Sequence, residues 1–257
     1  MSLDEFKVIF YWEYAHRLLA RFVGLYSLIP LVFFSLKFRN NKKYSNKYYL
    51  IFLLICFQGF IGWYMVSSGL IKLTDVSHYR LSIHLSIALL ILSIILWYIF
   101  DIFEIKKFII KMDNYILILF LGLIIIQIIL GAFLAGLNGG LIYNTWPDMN
   151  GAFLPGDVQY NDYFSKELFS NPSVVQLLHR ITAYILFFLL IFLNYFFYKY
   201  KYDLKLIIFL NFAILFQISL GIITLLTGVE IKYASLHQLG SVLVLSSHLL
   251  ILFKNTS

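Results

Sequence analysis

Seven long runs of apolar residues, separated by shorter polar segments, dominate the hydrophobic pattern of this chain. A transmembrane helix needs about 20 consecutive, mostly apolar residues. The runs of this length lie at residues 14–36, 48–70, 81–100, 114–136, 174–197, 204–227 and 234–253. They are too long and too uniformly apolar for strands of an outer-membrane barrel, in which apolar and polar residues alternate. The pattern therefore predicts an all-α membrane protein, a bundle of seven transmembrane helices.

The polar start of the chain predicts one further helical segment. Residues 3–13 contain an apolar stripe of Phe6, Ile9 and Phe10, which favours a short helix at the outer interface that continues into the first span. The opening run M-S-L-D-E-F-K-V-I-F has acidic residues where a signal peptide would have basic ones, and it lacks an apolar core. No signal peptide is expected.

The overall composition agrees with a membrane protein. Of 257 residues, 61% are hydrophobic and 13% are charged, whereas a soluble domain has about 25% charged residues. A soluble protein of this size could not bury so much apolar surface. A soluble enzyme, a disordered chain and a nucleic-acid-binding domain are excluded, and lipid is the expected surrounding. The single cysteine, Cys56, excludes a disulfide framework and a cysteine-rich metal site.

The charged residues predict the orientation of the helices. Basic residues are concentrated in the segment 37–47 and in two further loops, where they are Lys106, Lys107, Lys111, Lys199, Lys201 and Lys205. By the positive-inside rule these loops face the cytoplasm, or the matrix of a mitochondrion. The long connection at 137–173 is acidic and lies outside. We therefore expect the N-terminus outside and the C-terminus inside, in a bacterial inner membrane rather than a mitochondrial one.

Four of the six histidines occupy equivalent places in the predicted helices. His16, His84, His179 and His237 each lie within about the first two turns of a helix that enters from the outer side. Ionisable residues inside a membrane are costly and usually functional, and neutral imidazole is the commonest metal ligand. A single histidine could be merely interfacial, but four at matched depth predict two metal-centred sites. Ligation by two histidines from facing bundle helices suits haem iron.

The other two histidines receive no ligand role. His78 is predicted to lie in an outer loop. His248 follows His237 by eleven residues, nearly on the same helix face and about 16 Å deeper. We interpret it as a structural residue.

Internal repeats divide the chain into two halves. The repeated features are His16-Arg17 and His179-Arg180, Gln58-x-x-x-Gly62 and Gln217-x-x-x-Gly221, and His84 and His237. They predict two pseudo-repeated halves, residues 1–113 and 114–257. A third motif, Gln127-x-x-x-Gly131, opens the second half. We interpret the Gln-x-x-x-Gly motifs as helix packing, because glycine allows close approach and glutamine bonds across an interface.

Four arginines lie near the level of the histidines. They are Arg17, Arg21, Arg80 and Arg180. Haem propionates are anionic, and guanidinium groups pair with carboxylates through two parallel hydrogen bonds. These arginines are therefore candidate propionate partners. The alternative, that they extend to the membrane interface, stays open.

Two segments resemble the haem A synthase family. The run W-E-Y-A-H-R-L-L-A-R, residues 12–21, resembles its E-x-x-H-R signature, and the run G-A-F-L-A-G-L-N-G-G-L-I-Y-N-T-W-P-D-M-N-G, residues 131–151, resembles its central segment. His179-Arg180 and His237 complete a match over almost the whole chain. The form without paired loop cysteines, found in many Gram-negative bacteria and in mitochondria, is the more similar one.

The resemblance implies a function and two haem sites. The family oxidises a methyl group of haem O to a formyl group, giving haem A for cytochrome oxidase. By resemblance, His179 and His237 hold a resident haem b as cofactor, and His16 and His84 face the substrate haem O. Haem O synthase and an electron acceptor are the further partners that it implies.

Glu13 matches the family glutamate that takes part in the chemistry. It lies three residues before His16 and therefore on the same helix face. There it could move protons while the methyl carbon is oxidised. The alternative is an ion pair with Arg17, four residues further along.

The chain departs from the family in its number of predicted spans, and two other functions are alternatives to the enzyme. The family typically has eight spans in two four-helix halves, whereas this chain shows seven, with the first helix of the first half lacking. We expect a short or N-terminally truncated member. The alternatives to the enzyme are a membrane b-type cytochrome that carries electrons and a haem transporter or chaperone.

Overall fold

The computed structural model describes residues 3–37, 42–69, 76–109, 112–165 and 168–256, and their regular structure is helical. The long helices are α1 (Leu3–Lys37), α2 (Lys42–Gly69), α3 (His78–Ile102), α4 (Asn114–Gly136), α5 (Pro172–Lys199), α6 (Leu204–Leu226) and α7 (Ile231–Asn255). Each of these seven is long and apolar enough to cross a membrane. Extended pairing among the described residues is limited to a bridge between Met149 and Ala152. The predicted all-α fold with seven membrane helices is confirmed.

Several helices begin earlier than the apolar runs that predict them. α1 is continuous from Leu3 to Lys37, so that the expected short helix and the first span form one element. α3 already begins at His78, and the placement of His78 in a loop was therefore wrong. Its ring lies edge-on to Phe133 of α4, with ring centroids 5.5 Å apart. The first turn of α3 thus packs against α4, although the apolar run that predicted this helix begins only at residue 81.

Parts of four charged or connecting segments lie outside the described residues. They are residues 38–41 of the basic segment, residues 70–75 before α3, Lys111, and the Lys166–Glu167 pair.

The chain divides into two compact units, residues 1–67 and 68–257. In the first unit, the described contacts between α1 and α2 lie near the connection of the two helices. The Ser35 hydroxyl is 2.9 Å from the Tyr49 hydroxyl, and the rings of Phe34 and Tyr48 stack with centroids 4.4 Å apart. Most other described side chains of α1 are exposed.

The second unit is built around four helices that close on one another. α4 packs against α5 and α7, and α6 also packs against α5 and α7. Because the contacts form a closed circuit, α5 and α7 occupy diagonal positions in this bundle. α3 lies outside it and packs against α4 and α7. The bundle coincides with the predicted second half, while the division into pseudo-repeated halves stays a prediction.

An apolar core fills the end of the bundle at which α4 and α6 begin. Its fully buried side chains include Leu117, Phe120, Leu193, Phe197, Leu210, Ala213 and Ile251. Two amides interrupt this apolar region and join α5 to α6. Asn194 Nδ2 donates to Asn211 Oδ1 at 2.8 Å, and Asn211 Nδ2 donates back at 2.7 Å.

The same end of the bundle holds the basic loops. Lys107 Nζ donates to the Phe253 carbonyl at 2.8 Å, and Lys254 Nζ donates to the Lys106 carbonyl at 2.6 Å. Asn255, almost fully buried, donates to the Met112 carbonyl at 2.9 Å. These bonds attach the α3–α4 loop to the C-terminal end of α7, where cations also complement the helix dipole.

The opposite end carries the long connection between α4 and α5, residues 137–171. Two short 3-10 helices lie in it, Gly139–Leu141 and Tyr160–Phe164. Tyr143 and Met149 of this connection form a small buried cluster with Leu177 of α5. The described part of the connection carries Asp148, Asp157 and Asp162. Basic and acidic loops are thus segregated to opposite ends of the bundle.

Candidate functional site

Two histidines meet at the end of the bundle that carries the long connection. His179 is the eighth residue of α5, and His237 is the seventh of α7. Since these helices are diagonal in the bundle, the two side chains face each other across its centre. Their ring centroids are 6.5 Å apart, and their ring planes cross at 76°. The structure therefore brings together the two predicted ligands of the second half, called here the histidine pair.

The spacing of the histidine pair fits a single metal ion between the two rings. Two imidazoles that bind one metal ion from opposite sides, with metal–nitrogen bonds of about 2 Å, have ring centres roughly 6 Å apart. The observed separation of 6.5 Å is close to this value. This separation is compatible with a haem held by this pair.

Helix α4 supports His179 through Gln127 and Gly131, called here the α4 support. The amide nitrogen Nε2 of Gln127 lies 3.2 Å from Nε2 of the His179 ring. One turn further along α4, a Cβ on Gly131 would lie 3.3 Å from Cε1 of the same ring. The imidazole therefore lies directly over the α4 backbone. A side chain larger than that of glycine at position 131 would leave less room for the ring.

Helix α6 supports His237 through Gln217 and Gly221, called here the α6 support. The side-chain nitrogen Nε2 of Gln217 donates to the His237 main-chain carbonyl at 2.8 Å. Nδ1 of the His237 ring lies 3.1 Å from the main-chain carbonyl oxygen of Gln217. A Cβ on Gly221 would lie 2.9 Å from Cε1 of His237. On the facing side, a Cβ on Gly240 would collide with Oε1 of Gln217. The two helices approach each other very closely at this level.

These contacts bear on the protonation of both rings. The Gln217 carbonyl only accepts, so Nδ1 of His237 carries the proton and Nε2 keeps its lone pair. The Gln127 amide nitrogen lies 3.2 Å from Nε2 of His179 and donates to its lone pair when Nδ1 carries the proton. A neutral imidazole with a free lone pair is the form that binds metal. Nε2 of His237 is thus free to act as a ligand, whereas Nε2 of His179 must first leave the Gln127 amide.

Arg180, next to His179, ties the long connection to α5. Its two terminal nitrogens donate to the main-chain carbonyls of Asp148 at 2.7 Å and Thr145 at 3.0 Å. Longer bonds reach the carbonyls of Pro147 and Tyr143. Its Nε is buried without a hydrogen-bond partner. The guanidinium therefore holds the loop above the histidine pair and keeps one donor for a further acceptor.

A carboxylate in the connection completes this attachment. Asp157 accepts a very short hydrogen bond from the Tyr143 hydroxyl and a bond of 2.7 Å from the Ser173 hydroxyl at the start of α5. Burial acts to raise the pKa of Asp157, but the two hydrogen bonds stabilise its charged form, and the pKa is lowered overall. Burial and the bond to Asp157 together raise the pKa of Tyr143.

The predicted residues of the first half lie on two helices that belong to different units. On α1, Arg17 donates to Glu13 at 2.6 Å, and both side chains are about half exposed. His16 and Arg21 are also exposed. On α3, His84 is partly buried as the seventh residue of the helix, and Arg80 is the third. The alternative contact of Glu13 with Arg17 is therefore present, and the roles of these residues stay predictions.

Comparison with known proteins adds family evidence to this geometry. Residues 1–249 match the COX15-CtaA model, described as cytochrome oxidase assembly protein. The chain belongs to this family. A relative named Heme A synthase from Pelagibacter ubique (strain HTCC1062) is 66% identical over 257 residues, which are 100% of this chain and 76% of the relative. The resemblance drawn from the motifs is thereby confirmed.

More distant relatives of the same name extend this similarity. Heme A synthase of Rickettsia bellii (strain OSU 85-389) is 40% identical over 253 residues, covering 96% of this chain and 75% of the relative. Heme A synthase of Wolbachia pipientis wMel is 38% identical over 254 residues, covering 97% of this chain and 71% of the relative. Together with the seven apolar helices, family membership makes the chain a multi-pass membrane protein.

The remaining histidines of this family member lie in different surroundings from those expected for ligands. His248 is fully buried, and its Nε2 lies 2.9 Å from the Leu117 carbonyl of α4, which agrees with a structural role. His16 is the fourteenth residue of α1, because the helix begins at Leu3. His84, His179 and His237 lie within about two turns of the starts of their helices, and the ligand roles of His16 and His84 stay predictions.

Sequence reasoning missed the four residues of the α4 and α6 supports. The interpretation of Gln-x-x-x-Gly as helix packing was incomplete, because both motifs contact the histidine pair. One signal could have revealed this. In both α4 and α6, which are each 23 residues long, the glutamine is the fourteenth residue and the glycine the eighteenth. The equal positions place both glycines beneath a histidine ring of the following helix.

Proposed function

We propose that this chain synthesises haem A by oxidising a methyl group of haem O to a formyl group. The single observation that carries the proposal is the histidine pair, whose 6.5 Å separation suits one haem iron. The supporting comparison is the relative named Heme A synthase that is 66% identical over the whole chain. The chain is therefore placed among membrane oxidoreductases.

The histidine pair holds a resident haem b in the second unit. Nε2 of His179 and Nε2 of His237 are the donor atoms, and a haem between them supplies one-electron transfer when bound. The protein contributes two neutral ligands and an apolar bundle around them. It also contributes the long connection, which Arg180 ties down beside the pair.

The first half binds the substrate and handles protons. His16 on α1 and His84 on α3 are each assigned to the substrate haem O by the family resemblance, and Glu13, three residues before His16, lies on the same face of α1 as His16. Oxidising a methyl carbon to a formyl carbon adds one oxygen atom, supplied by water in this proposal, and releases protons together with the electrons that pass to the membrane electron acceptor. Glu13 accepts these protons as a general base, and the Arg17 guanidinium at 2.6 Å holds the carboxylate in place.

Arginines at the outer end position the haem propionates. The candidates are Arg17, Arg21, Arg80 and Arg180, which can pair with carboxylates. For Arg180 the available donor is Nε, because its terminal nitrogens already bond to carbonyls of the long connection. For Arg17 the propionate competes with Glu13.

The proposed location is a bacterial inner membrane with the N-terminus outside and the C-terminus inside. The support is the charge segregation of the second unit, with Lys106, Lys107 and Lys254 at one end and the acidic connection at the other. In this orientation the histidine pair lies toward the outer face. Haem O synthase is the proposed supplier of substrate, and a membrane electron acceptor takes the electrons.

Haem extraction tests the function. The chain is expressed in cells that supply haem O, and the haems of the purified protein are separated into b, O and A types. Haem b together with newly formed haem A is expected. Haem O without any haem A would refute the enzyme and favour an electron-carrying cytochrome or a haem carrier.

A variant of Glu13 tests the proton role. Glu13→Ala is expected to keep bound haem and to lose conversion of haem O to haem A. The matched control is Asp4→Asn, which removes an exposed carboxylate of the same helix that pairs with Lys7 at 3.3 Å. An unchanged yield of haem A in Glu13→Ala would remove Glu13 from the chemistry.

A further inference from the structure

Each support contacts one member of the histidine pair from an adjacent helix. The α4 support contacts His179 of α5, and the α6 support contacts His237 of α7. We infer that they are positioning elements, which set the separation, ring orientation and tautomer of the histidine pair for the haem. This inference rests on the proposed function, since it assumes that the pair binds haem iron. It assigns roles to Gln127, Gly131, Gln217 and Gly221.

The glycines let each imidazole lie against a helix backbone. A Cβ at Gly221 would be 2.9 Å from the His237 ring, and a Cβ at Gly131 would be 3.3 Å from the His179 ring. Both distances are shorter than the usual 3.5–4.0 Å contact between carbon atoms. An alanine at either place would therefore push the imidazole toward the centre of the bundle. The larger displacement is expected at Gly221.

The glutamines act on the polar atoms of the same two residues. The Gln217 side chain donates to the His237 main-chain carbonyl at 2.8 Å, while the Gln217 main-chain carbonyl accepts from Nδ1 of His237 at 3.1 Å. A hydrogen bond to the second ring nitrogen fixes the tautomer and orientation of a metal-binding histidine, and here it comes from the α6 backbone that the Gln217 side chain holds against α7. Gln127 instead points its amide at Nε2 of His179. This amide and a metal ion compete for one lone pair, so Gln127 tunes how readily His179 binds iron.

Ordinary close packing of small residues does not explain these contacts. Gly122 lies on the same helix as Gly131, and a Cβ there would meet nothing within 4 Å. In contrast, Gly131 of α4 lies against the His179 ring, and Gly221 of α6 lies against the His237 ring. Each of these is also accompanied, one turn earlier, by a glutamine bonded to that same histidine.

Alanine substitutions at three glycines test the steric part of the inference. Gly221→Ala, Gly131→Ala and the control Gly122→Ala are purified as full-length holoprotein. Haem b per protein, the low-spin electron paramagnetic resonance signal and the reduction potential of the haem are measured. Gly221→Ala is expected to lower haem content severalfold and to shift the signal. Gly131→Ala is expected to shift the signal with smaller loss, and Gly122→Ala to match the wild type.

Leucine substitutions test the polar part without adding volume. Gln127→Leu is expected to shift the resonance signal and the potential, while the temperature of unfolding stays close to that of the wild type. Gln217→Leu removes the bond to the His237 main-chain carbonyl but keeps the main-chain bond to Nδ1, so it is expected to shift the same spectroscopic quantities by less. The control is Gln238→Leu, because Gln238 is exposed on α7. A purely structural role would change stability and leave spectrum and potential unaltered.

The outcomes separate the inference from the proposed function. If His179→Ala and His237→Ala lose the haem while the support variants match their controls in all three measurements, the supports have no positioning role and the haem site stands. If both histidine variants keep the haem b spectrum, the ligand assignment and the inference fail together. Should Gly221→Ala not fold, Gln127→Leu alone decides between these results.

Discussion

The two helical hairpins of the bundle, α4–α5 and α6–α7, begin alike and end differently. Each opens with an aspartate, Asp113 or Asp203, whose carboxylate caps the first turn of a 23-residue helix. Each then places a glutamine and a glycine beneath a histidine of the following helix. The connections differ, because residues 137–171 join α4 to α5 whereas residues 227–230 join α6 to α7.

The two hairpins hold their histidines through different contacts. The short turn, with Gly228 at φ 69° and Val229 at φ 61°, keeps α6 and α7 so close that backbone carbonyls take part. Across the α4–α5 hairpin, the hydrogen bond to the His179 ring comes instead from the Gln127 side chain. The long connection in turn needs anchors of its own, which Arg180 and Asp157 provide. The same Gln-x-x-x-Gly motif therefore supports the two histidines through different hydrogen bonds.

The largest expected effect is at the histidine pair, to which each of the two hairpins contributes one histidine. If the pair holds the haem b proposed above, replacing either histidine would remove one of its two ligands, so His179→Ala and His237→Ala should each lose the spectrum of haem b. Optical spectra of the purified proteins report the loss. His248→Ala is the control, because this histidine bonds to the Leu117 carbonyl away from the pair. A spectrum kept in both variants would show that the site is misassigned.

The next effect concerns Arg180, which has no counterpart in the α6–α7 hairpin. Arg180→Gln removes a charged donor from partly buried and exposed main-chain carbonyls of the connection, and a hydrogen bond from a charged group contributes about 1.5–3 kcal/mol. We expect limited proteolysis within residues 137–171 to accelerate about tenfold or more, since 1.4 kcal/mol corresponds to about a factor of ten. Cleavage at residues 227–230 is the internal control. Equal acceleration at both connections would contradict a local anchor.

A smaller and pH-dependent effect is expected at Asp157. Because its folded-state pKa is lowered, the carboxylate stabilises the folded connection at pH values above its unfolded pKa of about 4. That contribution is lost as the pH falls through the lowered pKa. Proteolytic protection of the connection should therefore be constant from about pH 8 to 5 and decline in acid. Asp157→Asn should be less protected at neutral pH and should lack the decline.

The smallest effect tests the link between the two hairpins. Asn194 and Asn211 exchange two hydrogen bonds between α5 and α6. Interhelical hydrogen bonds in a membrane protein contribute on average about 0.6 kcal/mol. A double-mutant cycle with Asn194→Ala and Asn211→Ala, read from unfolding in detergent, should give a coupling of about this size. A coupling of zero would mean that the hairpins associate through apolar packing alone.

Part of the site could be predicted from residue type and spacing. His84, His179 and His237 were found because an ionisable side chain inside an apolar run is costly, and three of them recur about two turns inside a helix. The supports could not be found in this way, because glutamine and glycine have ordinary packing roles in membrane helices. Which Gln-x-x-x-Gly faces a histidine depends on how neighbouring helices are rotated.

The sequence by itself determined that this is an all-α, multi-pass membrane protein of the haem A synthase family. Apolar runs of about 20 residues and the E-x-x-H-R segment are local properties that need no fold to be recognised. Only the tertiary structure decided that His179 and His237 stand 6.5 Å apart, that Gly221 lies beneath an imidazole and that Arg180 holds a loop. Hydropathy places a residue along a helix, whereas distances across a bundle depend on how whole helices pack together.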